Sequence, residues 1–233
     1  MPPVRLLAVL AALGSTLGAS FCVLAAPFAV QLGDARIGLD SPPGFADAQS
    51  TGSPRMIELA ESLTSASNRI LLFAISDGDL RRFTVGESPE FRRYMIVVTP
   101  KGLEYQRITP AVFDTYVDDT LKGLGPVAPG IPADDPSKVL DKREVGQPTP
   151  LAELKRDASE VSLLVGTRLP PVEGGLFKAD KQRYMLSSTT LILLRGKPLN
   201  LQMFTLYESP ADLEWIRTTT GRWAEELRRL NNR

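Results

Sequence analysis

The sequence has no histidine, and its one cysteine is Cys22. Without imidazole there is no Ser-His-Asp or Cys-His nucleophilic machinery, no histidine general base and no ordinary zinc site. Cys22 lies in an apolar N-terminal stretch, so a chain that loses this stretch keeps no thiol and forms no disulfide even in an oxidising compartment. Net charge is missing too, with 27 Lys and Arg against 27 Asp and Glu. That balance argues against general nucleic-acid binding, which depends on neutralising phosphates. There is no Gly-x-Ser-x-Gly elbow, no Gly-Lys-Ser/Thr phosphate loop and no dinucleotide fingerprint; Gly196-Lys197 is followed by Pro198, which suits a turn. The enzyme chemistry left open uses carboxylate, lysine, tyrosine or serine. No cofactor and no metal are expected.

What the sequence does have begins at its N-terminus. Residues 6–30 carry no charge and follow Arg5, a short basic start, an apolar run and then small residues, which is the layout of a secretory signal. Small side chains one and three residues before the cut place cleavage after Ala25, with Val23, or after Ala26, with Leu24. Two other fates stay open. An uncut run of about 20 apolar residues can span a bilayer, although Gly14, Ser15, Thr16, Gly18 and Ser20 dilute this one. Lipidation of Cys22 requires a small residue before it, where Phe21 stands. A cleaved chain is periplasmic or secreted and an uncut one is anchored in the inner membrane through residues 1–26. Removing residues 1–26 takes only Arg5 from the 27 basic side chains and none of the 27 acidic ones, leaving a net charge of −1. About two hundred residues remain, enough to bury one core without staples, so residues 27–233 are read as a single domain.

Three Ser/Thr-Pro pairs, Ser53-Pro54, Thr109-Pro110 and Ser209-Pro210, put a capping hydroxyl before a proline, as at helix starts. Helical periodicity follows each. The third is the clearest, with Leu213, Ile216, Thr220, Trp223, Leu227 and Leu230 at alternating steps of three and four. Between the helices lie strand-like runs at 69–75, 92–98, 160–166, 184–194 and 199–207. Gly33-Asp34 and residues 195–198 are connections short enough to require antiparallel neighbours. Several strands are apolar on both faces, as expected of a sheet covered by helices. The fold class is therefore α+β, a mostly antiparallel sheet packed by helices on its faces. Residues 123–150, rich in proline, glycine and charge, read as a long surface loop.

The element order, with "ARIGLDSPPGF" in an opening hairpin and a closing helix containing "ADLEWI" and "RWAEELRRLN", resembles the PsbP-like superfamily and uncharacterised exported bacterial proteins with such a domain. The resemblance implies an α/β/α sandwich and a non-catalytic accessory or assembly role. Histidine metal contacts of some relatives have no counterpart here.

Paired carboxylates are the remaining route to catalysis. Asp77 and Asp79 superficially resemble a calcium loop, but Arg81 and Ser88 stand where its fifth and twelfth ligands belong, so a helix start capped by Asp77 or Asp79 is the plainer reading. Asp118 and Asp119, and Asp134 and Asp135, read as solvated charge. Arg81, Arg82, Arg92 and Arg93 flank "FTVGESPEF" and form the nearest thing to a binding patch, able to receive an acidic partner or lipid headgroups. Trp215 lies off the last helix's apolar stripe, at the core edge or on a partner surface. The expected function is an exported non-catalytic accessory or binding protein with a protein or small-molecule partner. The alternatives are a carboxylate-dependent enzyme with a cleft near 123–150, and an anchored subunit of a membrane complex.

Overall fold

The computed structural model describes residues 27–127, 135–171 and 182–232. The signal region, with Ala25 and Ala26, and Asp134 lie outside the described residues. The chain opens with a hairpin, β1 (Phe28–Leu32) and β2 (Ala35–Leu39), followed by a short strand β3 (Phe45–Asp47). Helix α1 (Pro54–Ser62) leads into β4 (Asn68–Ser76), α2 (Asp77–Thr84) and β5 (Arg93–Pro100). After α3 (Pro110–Leu121) and the single turn α4 (Ser137–Leu140) come four strands, β6 (Pro148–Asp157), β7 (Glu160–Arg168), β8 (Tyr184–Leu194) and β9 (Lys197–Tyr207). Helix α5 (Pro210–Asn231) closes the chain.

Seven strands form one antiparallel sheet in the order β3-β4-β5-β9-β8-β7-β6. It is two meanders joined at a single seam, where Arg93 of β5 pairs with Thr205 of β9 and the register runs to Val98 and Asn200. The β8–β9 turn has positive φ at both central residues, 52° at Arg195 and 79° at Gly196, a turn whose twist matches that of the strands it joins. Alternation along the strands divides the core. Leu72, Met95, Val97, Leu201 and Met203 pack beneath α5 and the β1–β2 hairpin. On the opposite face Phe73, Ile75, Ile96 and Val98 meet Met56 and Ala60 of α1, while Val161 and Leu191 meet Phe113 and Val117 of α3. The molecule is thus an α+β structure with helices on both faces of an antiparallel sheet, as the residue pattern implied.

The three Ser/Thr-Pro pairs all start helices, with the proline as first helical residue. The reading of Asp77 or Asp79 as a cap is corrected. Ser76 caps α2, accepting the Asp79 N–H at 3.0 Å, because its extended backbone leaves the hydroxyl facing the first turn. Two elements have no local signal in the sequence. Strand β6 contains Pro148 and Pro150, which an interior strand excludes, and it is tolerated because β6 is an edge strand. Helix α4 lies inside the 123–150 segment, and its Leu140 is fully buried. It fits only because β7 has a glycine there: a Cβ on Gly166 would sit 2.8 Å from Leu140. Tyr184 adds a hydrogen bond to the Asp141 carboxylate. Burial and that carboxylate push the Tyr184 phenol up to about 12.

Helix α5 buries Leu213, Ile216, Thr220, Trp223 and Leu227 against the sheet. Trp223 is 2% exposed and donates its indole N–H to the Asp40 carbonyl at 2.7 Å, tying α5 to the end of β2. Asn231 pairs with both the N–H and the C=O of Gly38, each at 2.9 Å, so the hairpin is fastened along the helix. Replacing Trp223 with alanine is expected to cost about 3–5 kcal/mol, and replacing the half-buried Trp215 clearly less. Urea denaturation of the two variants measures the difference. Equal midpoints for Trp223→Ala and the parent would show that the buried face is wrongly assigned.

Candidate functional site

The sheet seam ends where β5 begins and β9 runs into α5, and a depression of about 290 Å³ opens there. Its walls include Asp79, Arg82, Glu90, Arg92, Arg93 and Asp212. The fold therefore gathers three of the four arginines singled out in the sequence. Arg81 is exposed, does not line the depression and donates its Nε to the Asp77 carbonyl at 3.2 Å. Trp215 belongs to the same region: the Arg93 guanidinium lies 4.2 Å from the centre of its ring, a cation–π contact, and Phe45 packs on it at 6.0 Å between ring centroids.

None of these three arginines is free to act as a bare cation. Arg82 pairs with Glu90 at 2.6 Å, Arg92 with Glu208, and Arg93 with Asp212 at 2.8 Å. The Arg93 Nε also donates to Thr205 at 3.3 Å. Asp212 stands at the third position of α5, where its carboxylate also accepts the backbone N–H of Ser209 at 3.0 Å and of Glu208 at 3.1 Å. Burial works to raise the Asp212 pKa, but the Arg93 hydrogen bond and these N–H groups outweigh it and hold the carboxyl below its ordinary value. Asp79, 6% exposed, is likewise engaged. Its oxygens accept the Ser76 hydroxyl at 2.9 Å and the Glu90 N–H at 2.7 Å. Three acids thus line the depression, Asp79, Glu90 and Asp212, and each is engaged by a partner within the protein.

Asp157 and Glu160 form a second close pair of acids. Glu160 is buried and meets Arg228 at 2.7 Å and Lys155 at 3.1 Å, while Asp157 meets Arg228 at 3.1 Å. Burial would raise the Asp157 pKa, but the Ser159 N–H and Arg228 hold it far below the usual carboxylate range. This is a neutralised structural cluster fastening α5 to the β6–β7 turn. Asp118 and Asp119 are exposed on α3, and Asp135 is engaged by Ser137. Among the described residues, no group of three or more Asp, Glu, His or Cys side chains is arranged to hold a metal ion. Among the same residues no helix is long and apolar enough to cross a membrane.

A second pocket, about 320 Å³, lies between α1 and the end of α2 with the loop that follows it, lined by Met56, Leu59, Phe83, Pro89 and Phe91 and by the exposed Arg55 and Glu58. Sequence reasoning places Phe83 and Phe91 beside the arginines but misses this pocket, since no local signal joins them to α1. It also misses Lys197. Read only as part of a turn, Lys197 is fully buried, with its ammonium on Asp34 at 3.0 Å and on the carbonyls of Glu104 and Gln106 at 3.2 and 2.8 Å.

No family model matches the chain. No curated protein matches it either. Among solved structures, a point mutant of the protein Mog1 aligns at 14% identity over 86% of this chain and 94% of that one, with a TM-score of 0.38. The Saccharomyces cerevisiae Ran-binding protein Mog1p aligns at 14% identity over 88% of this chain and 94% of its own, also with a TM-score of 0.38. At that TM-score the likeness bears on neither fold nor function.

The electrostatics of Asp212 set a pH dependence. Its folded pKa is depressed, so the stability it supplies is complete above the unfolded value near 3.8 and is lost as pH falls through the folded pKa. Asp212→Asn is expected to lower stability at pH 7 by about 1–2 kcal/mol and to flatten the loss of stability on acidification. Denaturation midpoints from neutral to acid pH check both parts, and parallel curves for parent and variant would contradict them.

Proposed function

We propose that this chain is an exported, non-catalytic accessory or binding protein that docks a protein partner through the ionic depression at the end of the β5–β9 seam. One observation carries the reading: the charged groups around that depression are already matched to opposite charges, while two of the ion pairs, Arg82–Glu90 and Arg92–Glu208, are about half exposed. Such a surface suits recognition of a partner with complementary alternating charge, which fixes orientation and encounter rate. A general acid or base must lie within hydrogen-bond reach of the reacting atom, and Asp79 and Asp212 spend both oxygens on partners inside the protein. Arg93 stacked on Trp215 supplies the two residue types most enriched at interface hot spots. Export rests on the uncharged run after Arg5 and the small residues Ala25 and Ala26, and a PsbP-like relationship on the element order and the "PPGF" segment.

Two measurements test this. N-terminal sequencing of the protein recovered from a bacterial host is expected to find Ala26 or Pro27 first, in the periplasmic fraction. A chain starting at Met1 and held in membranes would favour the anchored subunit. Cross-linking in the intact envelope is expected to trap a defined partner that the Arg82→Glu/Arg92→Glu variant loses at unchanged thermal midpoint. An identical partner set for parent and variant, or an activity abolished by Asp79→Asn, would overturn the reading.

A further inference from the structure

The pocket between α1 and the stretch from the end of α2 to Phe91 plays no part in the ionic docking face, yet it is built as a receptor. Its walls are Met56, which is buried, and the half-buried Leu59, Phe83, Pro89 and Phe91. Phe91 stands at φ 49°, a left-handed backbone conformation that costs a non-glycine residue energy and is kept where its surroundings over-determine it. That conformation belongs to the residue whose ring forms the pocket wall. The cavity, at about 320 Å³, is the size of a small ligand site and holds the equivalent of about ten waters.

Two exposed charges of opposite sign line the pocket. Arg55 and Glu58 are three residues apart in α1, so they share one face of the helix, and both line the pocket. Among the described residues neither has an ion-pair partner, in contrast to Arg82, Arg92 and Arg93 in the neighbouring depression. A simple fatty or aromatic anion would satisfy Arg55 but bring its charge against Glu58, and an amine would do the reverse. A ligand carrying both charged groups on one carbon and an apolar body behind them satisfies all three surfaces at once.

We propose that this pocket binds a free zwitterionic α-amino acid with an aromatic or large branched side chain, its carboxylate on Arg55, its ammonium on Glu58, and its side chain between Phe83, Phe91 and Met56. The flat rings of the two phenylalanines favour an aromatic ligand. The site excludes polar side chains because its interior walls offer apolar atoms.

The test uses the mature chain and follows backbone amide shifts on titration with L-phenylalanine, with phenylpropionate, which lacks the ammonium, and with phenethylamine, which lacks the carboxylate. L-phenylalanine is expected to shift the amides of 54–63 and 83–92 saturably, with each analogue at least tenfold weaker. Arg55→Gln and Glu58→Gln are expected to weaken L-phenylalanine binding at least tenfold without moving the thermal midpoint, since both side chains are exposed. The proposal is overturned if millimolar L-phenylalanine shifts nothing in these segments, if phenylpropionate binds as tightly as the amino acid, or if both variants bind as the parent does. Because the ionic depression is untouched by Arg55→Gln, partner cross-linking in that variant reads the docking function separately.

Discussion

The Asp212 carboxylate is the point on which three parts of the molecule converge. It accepts the N–H groups of Glu208 and Ser209 and so starts α5, and it binds Arg93 at the first residue of β5. Through Arg93 it reaches Thr205 of β9 and the face of Trp215. A helix of 22 residues is held mainly by the packing of its apolar face, and Asp212 ties its first turn to the sheet. The same carboxylate that caps the helix therefore aligns it on the seam between the two meanders. At the opposite end of that seam Lys197 does comparable work, its buried ammonium binding Asp34 of the β1–β2 turn and two carbonyls of the loop after β5.

Both ends of the seam are closed by charge, and this decides what the surface can do. Buried or half-buried ions are tolerated when each is paired and hydrogen-bonded, and the sequence supplies equal numbers of both signs. The result is a molecule whose acids cap, staple and pair. Asp79, Asp157, Glu160 and Asp212 all hold structure together. Chemistry by any of these four would require releasing it from those duties. Recognition requires no such release, because exposed pairs such as Arg92–Glu208 can share their hydrogen bonds with an incoming partner.

The sequence made the large elements legible because their signals are local. The phase of α5 follows from Leu213 to Leu227 at helical spacing, and β8 occupies the 184–194 run read from its apolar pattern. The Ser/Thr-Pro starts and the two tight turns needed only adjacent residues. What stayed hidden depends on distance along the chain. Strand β6 carries prolines permitted only by its edge position, and α4 is anchored by one leucine against a glycine from another strand. At the candidate site the four arginines were visible, but Glu208 and Asp212, the partners of Arg92 and Arg93, were not. Arg93 and Asp212 are separated by 119 residues, and nothing local in either predicts the other. A cluster that reads as a cationic patch in one dimension is a set of closed pairs in three.

The claim that most of this rests on is that Arg93 and Asp212 act as one unit joining β5 to α5. A double-mutant cycle with Arg93→Met, Asp212→Asn and the double variant, read by urea denaturation at pH 7, measures it directly. The structure predicts a coupling energy of about 1–2 kcal/mol, with the double variant less destabilised than the sum of the singles. Additive losses, within about 0.3–0.5 kcal/mol, would show that the two side chains are neighbours without being partners and that α5 is set on the sheet by its apolar face and its later ties through Trp223, Arg228 and Asn231.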